Sequence, residues 1–191
     1  MQAAGNFGKS AREFGLEMEH GFGLIELVVT IAIAAILLAL ALPSFREVGM
    51  RMNVTENNNN LIGALTTAKS EAVKLGTIAG VVSISGGADW STGWRVLIDS
   101  NNDGTLTAAD TVIATYPALT NQYTVETKVT GGADGQVIFS ALGYLSAPAT
   151  LIDINVCRPD HNATESSWIH VTGSGEVKSQ RNTSSSPAPG C

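Results

Sequence analysis

From Phe22 to Leu42 the chain reads FGLIELVVTIAIAAILLALAL, twenty-one residues in which Glu26 is the only charge and Thr30 the only other clearly polar side chain. As a helix rising ~1.5 Å per residue, this stretch covers about 30 Å, the thickness of a bilayer core. A different pattern follows. Leu61, Ala64, Leu65, Ala68, Ala72 and Leu75 recur at steps of three and four, with Lys69, Glu71 and Lys74 on other faces, which predicts one apolar helical stripe. The run Asn57 to Asn60 is a weak point in that helix, because asparagine is a mediocre helix former, and Gly76 reads as its stop. Beyond Gly76 the period changes to two. Short β-rich runs at 78–85, 94–98, 111–116, 123–129, 137–140, 151–156 and 168–171 are separated by Gly, Asn, Asp and Pro clusters. The predicted fold is α+β: a long N-terminal helix, transmembrane in its first half, packed on a C-terminal antiparallel β module.

A secretory signal peptide would have a shorter apolar core, a basic start and a small-x-small site after the run. Here the run ends in Leu42-Pro43-Ser44-Phe45, and Lys9 and Arg12 lie well upstream among Glu13, Glu17 and Glu19, so the segment is expected to stay on the mature protein. An ionised Glu26 inside a membrane helix costs at least ~2.5 kcal/mol near the bilayer centre and less near the interface, so it needs a partner. Cleavage just before Phe22 would supply one, an α-amine one helical turn away, its own or a neighbour's. With 11 Lys plus Arg against 17 Asp plus Glu, the formal charge of -6 gives the whole molecule no bulk attraction for nucleic acid or anionic lipid. The two cysteines, Cys157 and Cys191, fall near the end of the sequence. A bridge between them would pin down a Ser/Pro/Gly-rich tail in an oxidising compartment; two free thiols are the alternative.

Gly21-Phe22-Gly23-Leu24-Ile25-Glu26-Leu27, followed by the apolar run, resembles the processing site of type IV pilins and type II secretion pseudopilins. The resemblance implies that a prepilin peptidase cuts after Gly21, that Phe22 becomes an N-methylated N-terminus, and that Glu26 guides assembly. Pro43 stands where the family commonly has a helix-kinking proline, a residue that removes a backbone donor and bends or opens the helix. The leader departs from the pattern: it is long from Met1, whereas a start at Met18 leaves Met-Glu-His-Gly with no basic residue. Lys9 and Arg12 before the helix are matched by Arg46 and Arg51 after it, so orientation rests on the resemblance and the cysteines. The β region resembles the GspH/FimT family of minor pilins and pseudopilins, through Trp94-Arg95-Val96-Leu97-Ile98-Asp99 and Phe139-Ser140-Ala141-Leu142-Gly143.

The organisation so implied is a leader over 1–21, a transmembrane and filament-core helix over 22–45, an amphipathic continuation over 46–76, and a periplasmic β domain over 77–191. The implied partners are other pilin or pseudopilin subunits, the prepilin peptidase, an inner-membrane assembly platform and inner-membrane lipid. The leading expectation is a minor pilin in the initiation or tip complex of a type IV pilus. The alternatives are the minor pseudopilin H of a type II secretion system and a DNA-binding minor pilin used in uptake.

Three constellations bear on further chemistry. Asp99, Asn101, Asp103, Thr105 and Asp110 follow the alternate spacing of a calcium loop, with Gly104 for the sharp turn, and make calcium a candidate cofactor. The flanks read as strands, however, and a polar hairpin loop accounts for the same residues. Lys178 and Arg181 lie in Gly175-Glu176-Val177-Lys178-Ser179-Gln180-Arg181, where DNA-binding members carry a Gly-Arg-x-Arg motif; Glu176 and Lys178 replace the two arginines. A glutamate beside them and the net charge disfavour DNA, and a solvated hairpin end is the plainer reading. No nucleophile elbow, zinc-protease motif or phosphate loop is present, and Asp153, Asp160 and His161 specify no mechanism, so no enzyme activity is expected. His20, His161 and His170 lie too far apart for a zinc motif, and Trp90, Trp94 and Trp168 are expected as core or rim packing.

Overall fold

The computed structural model describes residues 23–146, 149–182 and 191, with the backbone but not the side chains at Leu42 and Pro43. The leader and the cleavage pair Gly21 and Phe22 lie outside the described residues. The chain divides after Pro43 into two compact units, the second running from Ser44 to Cys191. Helix α1 covers Leu24–Leu75, and its backbone is helical across Pro43. Eight strands follow among the described residues: β1 (Ala79–Ser83), β2 (Trp94–Ile98), β3 (Thr111–Tyr116), β4 (Thr124–Thr130), β5 (Gln136–Phe139), β6 (Leu151–Cys157), β7 (Ser167–Thr172) and β8 (Val177–Arg181).

Within the second unit, Val54, Leu61, Ala64, Leu65, Ala68 and Ala72 are buried. From Leu61 onward their spacing is the predicted stripe, and its three alanines present little bulk toward the strands. Leu75, expected on the same stripe, is exposed, because it stands past the last buried turn. Gly76 ends the helix at φ +67°, and its N–H bonds the Ala72 carbonyl at 3.0 Å, the single bond of a left-handed C-cap. The Asn57 to Asn60 run does not break the helix. Its second member is engaged by the sheet, and that tertiary hold overrides a weak local propensity.

The strands form two antiparallel sheets, ordered β3-β2-β1-β5 and β4-β6-β7-β8. Buried and open positions alternate along β4 and β7, as expected for a sheet with one face on a core. Val81, Val96, Val137 and Phe139 from the first sheet and Val125, Ile152, Ile154 and Ile169 from the second share one cluster with the helix stripe. The β1–β2 loop stitches the sheets together. Trp90 N–H bonds Val125 O at 2.8 Å, Thr127 N–H bonds Ala88 O at 2.9 Å, and the buried Trp90 indole donates to Asp134 O at 3.1 Å.

Candidate functional site

Among the described residues, none of the apolar stretch at the start of α1 is buried inside the protein. Leu24, Ile25, Leu37 and Leu40 are all exposed. So large an unpartnered apolar surface needs lipid or other helices around it. In the second unit, Phe45, Val48 and Met52 form a further exposed apolar row at helical spacing. Glu26 lies exposed in the first turn, where a carboxylate complements the helix dipole, and its N–H bonds Gly23 O at 3.1 Å.

The domain half of α1 is held by polar contacts that the sequence did not announce. Arg158, only 1% exposed, forks onto Glu47, with Nη1 to Oε1 at 2.7 Å and Nη2 to Oε2 at 2.9 Å. Its Nη2 also donates to Asp160 Oδ2 at 2.7 Å. Arg51 extends the network, reaching Glu47 at 3.1 Å and Glu165 at 3.2 Å. The Arg158 guanidinium draws the Glu47 carboxyl down to about 2, and Glu47 in turn pushes Arg158 up, so both stay charged. Arg158 directly follows Cys157, which is bridged to Cys191 across a Cα separation of 5.6 Å. The end of β6, the terminal residue and α1 are thus tied at one place.

Higher on the helix, buried Asn58 accepts from the Ser167 hydroxyl at 2.8 Å and donates to Ser179 Oγ at 2.9 Å, reaching β7 and β8. Lys69 Nζ donates to Gly175 O at 2.8 Å. Gly175 has φ +73°, and a side chain there would collide with the Gly143 carbonyl oxygen, so only glycine suits this turn. Glu47 and Arg51 carry a visible i, i+4 signal in the sequence, but nothing there pairs either with Arg158, 111 positions away from Glu47.

The buried carboxylates of Asp99 and Asp110 bond the backbone of their own loop. Asp99 accepts N–H bonds from Asp103 at 3.2 Å and Gly104 at 3.0 Å, and Asp110 accepts from Thr107 at 2.7 Å and Ser100 at 3.2 Å. Asp103 accepts from the Thr105 hydroxyl at 2.6 Å and from Asn101 at 2.8 Å. The Thr105 hydroxyl holds Asp103 below the ordinary carboxylate range, and the Thr107 N–H does the same for Asp110. These side chains build the turn. Among the described residues no group of three His, Cys, Asp or Glu gathers to hold a metal.

β8 is the exposed edge strand of the β7–β8 hairpin, the solvated hairpin end expected from the sequence. Lys178 pairs in register with His170, and Arg181 with Ser167. Their odd separation sends the two cations to opposite faces, and Lys178 Nζ is bound to Glu176 at 3.0 Å. Asp153 and Asp160 likewise serve different partners. Asp153 accepts from the Trp168 indole at 3.1 Å and contacts His170 Nδ1 at 2.8 Å, whereas Asp160 serves Arg158.

The described architecture is that of solved type IV minor pilins. A crystal structure of the minor pilin FimU of Pseudomonas aeruginosa aligns over 74% of this chain and 94% of that one, at 20% identity and a TM-score of 0.52. A second crystal form of FimU aligns over 69% and 92%, at 20% identity and a TM-score of 0.49. At this identity the likeness is one of fold. No curated protein matches the chain. Residues 18–42 match the prokaryotic N-terminal methylation motif. Residues 57–175, more than half of the sequence, match the model for type II transport protein GspH, and the chain belongs to that family of pilin-like subunits.

Proposed function

We propose that the protein is a minor pilin, cut after Gly21, methylated at Phe22, anchored in the inner membrane by 22–42 and drawn from there into a type IV pilus filament. The observation that carries this reading is the contrast along α1: its first half is apolar and unburied, while its second half is the core of a β domain. Lipid covers the first half before assembly, and neighbouring helices cover it afterwards. Glu26 then meets the α-amine of Phe22, its own or that of the adjoining subunit, and Pro43 marks the end of the embedded stretch. Inside the filament the domain faces outward or caps the tip.

The test is intact-mass and N-terminal analysis of membrane-extracted protein in a host that has prepilin peptidase. The wild type is expected to start at methylated Phe22 and Gly21→Ala to keep its leader; a chain that retains residues 1–21 in both would end the proposal. The second reading, the minor pseudopilin H of a type II secretion system, is favoured by the description of the matched family. Loss of piliation on deleting the gene supports the first, and loss of protein secretion the second. Uptake of DNA is not favoured, because Lys178 is neutralised by Glu176 and stands across the strand from Arg181.

A further inference from the structure

Each of the two sheets has two edges, and the chain itself closes one edge of each. Outside β4, Trp90 N–H bonds Val125 O at 2.8 Å and Thr127 N–H bonds Ala88 O at 2.9 Å, so residues 88–90 run along that edge. Outside β5, Ser146 N–H bonds Ile138 O at 2.8 Å and Leu145 bridges to Phe139. The other two edges, β3 and β8, have no strand beyond them among the described residues.

These open edges are guarded very differently. β8 carries Lys178 and Arg181, and charge along an edge opposes the docking of a further strand. β3 reads Thr111-Val112-Ile113-Ala114-Thr115-Tyr116, which has no charge, proline or glycine and is almost wholly β-branched or aromatic. Among the described residues its backbone pairs only with β2, so the groups on its far side lack a ladder. Val112 and Ile113 are both exposed. The bulge at Ile113 blunts the edge only in part, because the residue it adds is itself apolar and open. A bare edge of this composition calls for a partner strand.

Charge decides which strand fits. A charged strand finds no counter-charge on β3, whereas a second β3 sets only uncharged side chains against uncharged ones. With a two-fold axis at Ala114, Val112 lies opposite the partner's Tyr116 and Ile113 opposite the partner's Thr115, and aromatic and β-branched pairs of this kind stabilise antiparallel strands. Pro117, which has no N–H, ends the ladder at the same place in both copies. We propose that β3 pairs antiparallel with β3 of a second copy of this chain, joining their β3-β2-β1-β5 sheets into one continuous sheet. Six residues a side bury less than the roughly 1,600 Å² of a standard interface, so the dimer is weak and depends on concentration. The inference rests on the edge alone and holds whether or not the chain enters a filament.

Both native cysteines are bridged, so one introduced thiol reports its own surroundings. The full chain is held in detergent micelles at about 100 µM, where a weak dimer is populated, and treated with a short bismaleimide. In the proposed pairing two Thr115→Cys thiols stand diagonally, with Cβ atoms about 7–8 Å apart. Thr115→Cys is expected to give covalent dimer that fades on dilution, at least about tenfold more than Gln180→Cys on the β8 edge. Adding Val112→Lys, which supplies the guard that β3 lacks, should cut that dimer about tenfold while the circular dichroism stays unchanged. Apolar helices that gather chains in a micelle would instead crosslink both thiols alike and ignore Val112→Lys. That result overturns the proposal, and so does the absence of dimer from Thr115→Cys. Repeated in the native membrane, crosslinks of Thr115→Cys to other proteins and none to a second copy also overturn it and assign the edge to a different subunit.

Discussion

Asn58 occupies a position on α1 that helical spacing gives to an apolar side chain, between Val54 and Leu61 on the buried stripe. Its carboxamide joins the Ser167 and Ser179 hydroxyls, so it fixes which part of β7 and β8 the helix meets. Replacing it by alanine removes its bonds to both hydroxyls and should lower stability by about 1–3 kcal/mol, measured by chemical denaturation. Asn59→Ala, exposed beside it, should stay within about 0.5 kcal/mol. Equal effects at the two positions would show that Asn58 contributes only propensity. The sequence cannot make this distinction. Four consecutive asparagines look alike, yet Asn58 is buried against the sheet while Asn59 is exposed.

Among the elements, α1 is attached to the end of β6 through an ion pair whose acidic half titrates. Glu47 falls from an ordinary 4.5 to about 2 beside Arg158, so its folded form holds the proton less tightly than its unfolded form. The stability it contributes is complete above about 4.5 and is lost as pH falls through that window toward about 2. Arg158 is pushed upward and stays charged throughout. Wild type should therefore lose more stability than Glu47→Gln over this range, when unfolding is followed by circular dichroism at each pH; parallel curves would mean that the pair carries no net coupling. At neutral pH, Glu47→Gln leaves a buried guanidinium with less compensation. It should destabilise the fold more than the double change Glu47→Gln with Arg158→Met, which removes the buried charge altogether. The limits of β2 and β3 were legible in the sequence because their apolar runs end at turn residues. β8 was not, since Lys178, Ser179, Gln180 and Arg181 on an exposed edge show no apolar alternation. The acidic loop was legible as spacing but not as chemistry, for the same oxygens that suit a cation also suit backbone N–H groups.

At the scale of the whole molecule, hydropathy alone separated an unburied apolar segment from a β domain, because one run is apolar on every side and the other alternates. The Cys157–Cys191 bridge closes a loop of 34 positions, and Cys191→Ser should cost about 3–4 kcal/mol if the constraint acts on the unfolded chain. Thermal melts with and without reductant measure this, and the variant should match reduced wild type. The division of the chain after Pro43 leads to a sharper expectation. The shared core draws on α1 only from Val54 onward, and the Arg158 clamp begins at Glu47. Among the described residues none of the apolar stretch before Pro43 is buried, so deleting it is expected to cost the second unit no packing. A fragment from Ser44 to Cys191 should then be soluble and unfold cooperatively, within a few degrees of the full chain in detergent. An insoluble or molten fragment would mean that the apolar half supports the domain. On the proposed function, assembly into a filament would then have to move a helix already committed to the fold, rather than one free to exchange its surroundings.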